Sequence, residues 1–468
     1  METRFTDTIR RSVLRMEKAK TAIEKIIGEW RNLCLSSGSI GNSDIEELED
    51  HLREEIKTLT KKELTEEEAF LIAVRRMGNL PSLSKEFRKI NTHDIWKKLF
   101  SEPVDVEERR KQTRDLIIIV VLAISAGLLT ELPKLFGVSF QEDSIFYLKN
   151  ISFFILPCIT IFFILRRQNS FPAFVSIILT FSLSLLLINL YPFSEESHTL
   201  FLSSIHIPLF LWFFTGIAYT GSEWRDVSRR MDFLRFTGEV FIYTTLMICG
   251  VFVVSGLTII LFEAIDISAE NYVFEHFGFT VAVASPVIAA YLVDQKKSVV
   301  ENFAPILARI FAPLLLCVML VFLGVMVFLQ KSPFLERDFL IGFDFMLLLV
   351  LGIVFYIIST REETKSPQIY DWISFLLIIV ALIIDVIALS AIVFRLNSFG
   401  VSPNKLAALG ENVLVFVNLL GMAVLFVQLF RKKISFGLLE KWQARLLPVY
   451  ALWLGFVGLI FPLIFSFI

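Results

Sequence analysis

Residues 372–394 read WISFLLIIVALIIDVIALSAIVF, twenty-three positions of which only Asp385 is acidic or basic. One α-helix of that length rises about 34 Å, enough to cross a hydrocarbon core of about 30 Å. Backbone amides have no water partners in lipid, so a block of this kind must close its hydrogen bonds internally as a helix. The stretch therefore predicts an integral membrane segment with one acid near its middle.

Working outward, ten more blocks have the same character. Before it lie Leu116–Leu135, Ile145–Leu165, Phe171–Tyr191, Leu200–Thr220, Thr237–Ile265, Tyr272–Val293, Phe303–Leu329 and Phe339–Ser359, and after it Val413–Phe430 and Leu446–Ile468. The fold class expected is all-α, a polytopic protein of about eleven transmembrane helices with a small helical domain ahead of them. The composition agrees: 55% of the 468 residues are hydrophobic, 47 are Phe, and the mean hydropathy is +0.66. That lies above the range of soluble globular chains. The net charge of -2 conceals an uneven distribution, because residues 1–108 hold 19 of the 45 Lys and Arg and 22 of the 47 Asp and Glu. The expected division is a soluble helical domain over 1–108 and a transmembrane domain over 109–468.

Orientation follows from the basic residues between blocks. Alternate connections carry Arg109, Arg110, Lys111 and Arg114, then Arg166 and Arg167, then Arg225, Arg229, Arg230 and Arg235, then Lys296 and Lys297, then Arg361 and Lys365, and finally Arg431, Lys432, Lys433, Lys441 and Arg445. That side holds 19 Lys and Arg; the other holds 6, namely Lys134, Lys149, Lys331, Arg337, Arg395 and Lys405. The positive-inside rule then predicts a cytoplasmic N-terminus and an external C-terminus. Two of the basic segments, Ser222–Phe236 and Lys432–Arg445, interleave cations with Trp224, Phe233, Leu234, Phe436, Leu439 and Trp442. Such stretches either rest on an anionic leaflet or simply set topology.

Residues 1–41 are charged and contain no apolar core of signal-peptide length, so insertion is expected to rely on the later blocks. Cys158, Cys249 and Cys317 sit in apolar blocks and Cys34 in the leading domain, with no CxxC spacing to suggest a disulfide framework or a zinc site.

The leading domain reads as helices. The first covers about Thr6 to Leu35. The second runs to about Lys61 with Ile45, Leu48, Leu52, Ile56 and Leu59 at helical spacing, and the third spans Glu66–Met77 up to Gly78. Ser43 with Glu46, and Thr65 with Glu68, have capping-box spacing. A short helix follows Pro81. The stretch from Glu46 to Ile56 (EELEDHLREEI), then Leu64 to Phe70 (LTEEEAF) and Ala73 to Gly78 (AVRRMG), resembles the bacterial permease prefix domain of the HAAS signalling group. The resemblance covers about residues 5–90. It implies a bacterial inner-membrane protein with a cytoplasmic interaction or regulatory module, and it carries no catalytic role. More weakly, Ala391-Ile-Val-Phe-Arg395 followed by Phe399-Gly-Val-Ser-Pro-Asn-Lys405, with Asn412 beyond, resembles a family of polytopic bacterial membrane proteins of unknown function. Lys405 stands there for the usual Arg, keeping the charge but losing the bidentate fork.

Asp385 is the sharpest candidate site. An acid at mid-bilayer costs at least about 2.5 kcal/mol on insertion scales, so it should face helices or water and have a polar partner. Asn418 lies at similar depth in the next block; Arg309 reaches it only if its helix tilts. The functional reading of Asp385, Asn418 and Arg309 is a proton or cation site, and the structural one an interhelical hydrogen bond. Glu131, Glu239, Glu263 and Asp344 lie nearer block ends, where snorkelling explains them. His206 with Pro208 reads as a relay or as a packed kink. His51, with Glu47, Glu54 and Glu55 one helical turn away, reads as a metal site or, more simply, a solvated face.

There is no P-loop, GxSxG, HExxH or dinucleotide turn. No cofactor is expected, no metal site is assigned, and no nucleic-acid partner is implied, since the basic clusters are accounted for by topology. The expected partners are the lipid bilayer and a cytoplasmic protein engaged through residues 1–108. The first functional expectation is a regulatory or signalling membrane protein; the alternative is a secondary transporter or permease using an intramembrane carboxylate. An intramembrane lipid transferase is a more distant third. Ligand and oligomeric state leave no signature.

Overall fold

The structure is a computed structural model. It describes residues 24, 26–28, 30, 31, 42–61, 64–76, 106–138, 143–194, 196–295, 303–328, 334, 337–361 and 368–468. The chain divides into two compact units, Met1–Gln112 and Thr113–Ile468. Every described element is helical or a turn, with no strand among the described residues.

The first unit contains α1 (Asn42–Thr60) and α2 (Glu66–Arg76). Leu52, Ile56 and Leu59 recur every three or four residues on α1. Their stripe meets Ala69, Phe70, Ala73 and Val74 of α2, together with Ile27 and Trp30 from the preceding helical segment. Glu68 accepts from the Thr65 amide at 3.0 Å, and the Glu68 amide donates to Thr65 Oγ1 at 3.3 Å, so the second capping box forms. These bonds satisfy amides that the first helical turn leaves without partners. Arg53 bridges two acids, Glu24 at 2.5 Å and Glu49 at 2.8 Å. α1 begins at Asn42, one residue before Ser43. The side chains of residues 42–48, most of the first helix, Gly78 and the segment after Pro81 lie outside the described residues.

The second unit is an all-α polytopic membrane bundle, with eleven helices among the described residues each long and apolar enough to span a bilayer. They are α3 (Val106–Glu131), α4 (Ser144–Arg166), α5 (Phe171–Leu190), α6 (His198–Thr220), α7 (Val227–Glu263), α8 (Glu270–Asp294), α9 (Phe303–Phe328), α10 (Arg337–Thr360), α11 (Ile369–Phe399), α12 (Pro403–Phe430) and α13 (Gly437–Ile464). α8 includes a π-helical turn over Val273–Gly278, and α13 another over Phe456–Ile460. Two apolar clusters organise the bundle. One is built on α3 to α8 around Phe162, Phe163 and Phe236. The other is built on α9 to α13 around Phe343, Ile384 and Phe426. α7 and α10 pack together, and α6 packs against both α12 and α13.

Helix ends sort into two layers. At the basic end Arg166 pairs with Asp294 and, at 3.5 Å, with Asp115; Arg167 reaches Asp294 at 3.0 Å, and Arg361 reaches Asp371 at 2.9 Å. Arg235 donates to the Ser359 carbonyl. At the opposite end His276 sits 2.7 Å and Lys134 2.9 Å from Glu131, while Ser197 donates to the Phe467 carbonyl at 2.8 Å. Each contact joins ends that alternation of eleven spans puts on the same face.

Several helices outrun the apolar blocks. The Ser222–Phe236 segment is not a separate surface stretch. After a 3-10 turn, Asp226 accepts from the Ser228 amide at 3.2 Å and α7 runs unbroken for 37 residues, carrying Arg229, Arg230 and Arg235 in its first turns. The second basic segment likewise becomes the start of α13. Arg and Lys are good helix formers, so a change in polarity does not end the helix.

Candidate functional site

The polar residues of α10 to α13 stand one above another along the bundle. At the end opposite the basic layer a cavity of about 240 Å³ is lined by His198, Asp344, Arg395, Ser402, Asn404 and Lys405 with apolar neighbours. The turn between α11 and α12 builds its rim. Gly400 adopts φ +73°, a left-handed conformation that glycine tolerates and side chains strain. Pro403 then opens α12. Lys405 Nζ caps the end of α11, donating to the Gly400 carbonyl at 2.7 Å and the Phe399 carbonyl at 3.2 Å. Asn404 Nδ2 lies 3.2 Å from His198 Nδ1.

Below the rim is a layer of ionisable groups, about 10–12 Å in from the helix ends. Asn412 Nδ2 donates to Asp344 Oδ1 at 2.8 Å, joining α12 to α10. Its neighbour Glu411 meets His206 Nε2 of α6 at 2.6 Å. His206 Nδ1 lies 2.7 Å from the Leu202 carbonyl. Both imidazole nitrogens therefore face oxygens. A neutral imidazole donates once, so the pair holds either an imidazolium against a carboxylate or a proton on Glu411.

Deeper still is Asp385, on the buried face of α11 beside Ala381, Ile384 and Ala388. It is 0% exposed, and neither carboxyl oxygen has a hydrogen-bond partner among the described residues. Asp344 and Tyr450 lie within electrostatic range of it. Sequence spacing suggested Asn418 as its partner, but the structure does not bring them into a hydrogen bond. Asn418 Nδ2 instead donates to Gln443 Oε1 and to the Tyr450 hydroxyl, both at 3.0 Å, and Trp442 Nε1 donates to Asn418 Oδ1 at 3.0 Å. Gly421 permits this, since a Cβ there would overlap the Trp442 ring. The physical reason is supply: α13 presents three polar side chains to Asn418 and saturates it. The side chain of Arg309 lies outside the described residues.

Other candidates take different places. Glu131 joins Lys134, His276 and Thr280 at the end opposite the basic layer. Glu239 is buried and Glu263 exposed, both on α7. His51 is exposed on α1, and no group of His, Cys, Asp or Glu among the described residues is arranged to hold a metal ion. Cys158, Cys249 and Cys317 are free thiols.

No family model, curated protein or solved structure matches this chain.

Sequence reasoning missed Glu411, His198 and the cavity walls. The apolar block was expected to begin at Val413, whereas α12 begins ten residues earlier. Its first turns carry Asn404, Lys405, Glu411 and Asn412, which face protein or cavity and so lack the apolar signature of lipid contact. The signal available was the pair of adjacent polar residues, 411 and 412, about 12 Å inside a helix opened by Pro403.

Proposed function

We propose that this multi-pass membrane protein is a permease that admits a small polar solute through the cavity and couples its passage to protonation of buried carboxyls. The carrying observation is Asp385, fully buried and without a hydrogen-bond partner among the described residues, deeper than the ionisable layer and at about the depth of Asn418. A carboxylate buried alone costs several kcal/mol, so the site calls for a proton or a cation. Packing alone gives no reason to keep an acid there. The cavity has a cationic wall, Arg395 and Lys405, and an acidic floor, Asp344. That lining suits a compact solute with an anionic group and a hydrogen-bond donor, smaller than a drug-sized ligand.

In this reading the basic end faces the cytoplasm of a bacterial cell, the cavity opens to the outside, and residues 1–108 lie within. The first unit closes its own apolar core around Trp30, Leu52 and Phe70. That independence favours an attached interaction module through which a cytoplasmic protein regulates the bundle, in line with the resemblance to a permease prefix domain.

The test is solute-driven proton movement. Proteoliposomes loaded with a pH-sensitive dye are exposed to a panel of small amino acids and carboxylates. At least one solute should change the internal pH with the wild-type protein, and the response should fall at least about tenfold in Asp385→Asn. Equal responses from wild type and Asp385→Asn, or none from wild type across the panel, contradict the proposal.

A further inference from the structure

A second cavity lies at the basic end, away from the polar column. It has a volume of about 300 Å³ and runs between α6, α7 and α13. Phe210, Phe214, Ile217, Leu447, Ala451 and Leu452 form its walls, and Trp224 and Arg230 its mouth. It opens toward the outer surface of the bundle, where Leu452 is 73% exposed. From Thr220 at the mouth to Phe210 at the far end is ten helical residues, about 15 Å. That is half of a hydrocarbon core of about 30 Å, the depth of one leaflet.

The mouth is built for negative charge. Arg230 Nε donates to the Trp224 carbonyl at 2.8 Å, and its Nη1 donates to the Ala444 carbonyl at 3.0 Å. These bonds fix the guanidinium but leave its charge uncompensated, because Arg230 makes no ion pair among the described residues. The exposed Arg225 shares the Trp224 ring, with its guanidinium 5.2 Å from the centroid and that of Arg230 5.7 Å away. Arg225 also makes no ion pair among the described residues. Arg229, by contrast, is neutralised by Glu223 at 2.5 Å. Two uncompensated cations thus flank a tryptophan at the entrance to a slot of acyl-chain depth. The bilayer supplies one molecule with both features, a charged phosphate attached to a long alkyl chain.

We propose that this groove is a specific site for one anionic phospholipid of the leaflet at the basic end, with an acyl chain lying against Ala451 and the phosphate held by Arg230 and Arg225. The groove is a feature separate from the polar column, so the proposal stands independently of solute passage.

The test uses the full-length protein in detergent, equilibrated with equal amounts of phosphatidylglycerol and phosphatidylcholine of matched chains, with retained lipid counted by native mass spectrometry. Phosphatidylglycerol should be retained over phosphatidylcholine by at least about fivefold, the preference expected from one interfacial cation. Ala451→Phe should lower phosphatidylglycerol retention by about tenfold by filling the slot. Arg225→Gln, which gives up the contact with the Trp224 ring but breaks no hydrogen bond or ion pair among the described residues, should lower the headgroup preference by about fivefold and leave chain-dependent retention in place. Equal retention of the two lipids by wild type overturns the proposal. So does dihexanoyl phosphatidylglycerol binding as well as the long-chain lipid, since that would show a headgroup contact without use of the groove.

Discussion

Glu411 Oε1 and His206 Nε2 meet at 2.6 Å where α12 packs against α6. The other imidazole nitrogen already faces the Leu202 carbonyl, so the pair needs one proton more than a neutral His and a carboxylate possess. Glu411→Gln removes that requirement, because the amide donates to Nε2. The substitution should leave the thermal midpoint of the purified protein within a few degrees of wild type. Glu411→Leu leaves His206 without its partner and should cost about 1–2 kcal/mol, modest because the glutamate is half-exposed. Thermal unfolding in detergent at pH 7 distinguishes them; equal losses in the two variants count against the shared proton.

Asp385 should behave in the opposite way to a structural acid. It has no hydrogen-bond partner to lose among the described residues, so Asp385→Leu, similar in volume and apolar, should be neutral or stabilise by about 1–3 kcal/mol. A fall in the midpoint of several degrees would mean that the carboxyl holds the helices together. Asp344→Leu, by contrast, leaves the Asn412 amide nitrogen with only its bond to the Ala408 carbonyl and should destabilise by about 1–3 kcal/mol.

The turn after α11 has a conformational requirement. Gly400→Ala forces a Cβ into φ +73° and should cost about 1–2 kcal/mol. It also disturbs the carbonyl that Lys405 Nζ reaches, so the rim of the cavity moves with it. Cysteine labelling at Ser402→Cys should therefore proceed at a different rate in the Gly400→Ala background than without it; an unchanged rate would contradict the movement of the rim.

The first unit makes a prediction in acid. The Thr65 hydroxyl and amide hold the Glu68 carboxyl below its usual value near 4.5. A group whose pKa is lowered on folding contributes fully above its unfolded value and loses that contribution as the pH falls through the folded value. Hydrogen exchange of the 66–76 amides, relative to the intrinsic rate at each pH, should therefore speed up below pH 4.5. Thr65→Ala should speed it at pH 7 by about fivefold, the effect of removing a cap worth about 1 kcal/mol. Unchanged exchange in Thr65→Ala would remove the cap as the determinant.

Much of the architecture was legible because lipid is an unforgiving solvent. Leu116, Ile124, Phe252 and Val321 had to be apolar since they face outward, and the described helices contain eleven segments long enough to span, as the apolar blocks predicted. Asp385 was legible for the same reason, as an acid with no reason to be there. Its surroundings were not. Asn418 looked like a partner by depth, but azimuth around α12 and the competing donors of α13 decide whom it meets, and neither leaves a trace in residue spacing. Glu411 and His206 are 205 positions apart, so only the packing of α6 on α12 unites them.

The measurement closest to the central claim is modification of Asp385 by dicyclohexylcarbodiimide in membranes, followed by mass spectrometry of the peptide that carries it. The reagent enters from lipid, and a protonated carboxyl passes its proton to a carbodiimide nitrogen while its oxygen adds to the central carbon, so no solute need be identified. Asp385 should be modified, faster as the pH on the cavity side is lowered and more slowly in Asp344→Asn, which alters the floor through which protons arrive. An Asp385 that stays unmodified from pH 5 to pH 8, while other membrane carboxyls react, would contradict its exchange of protons with the cavity.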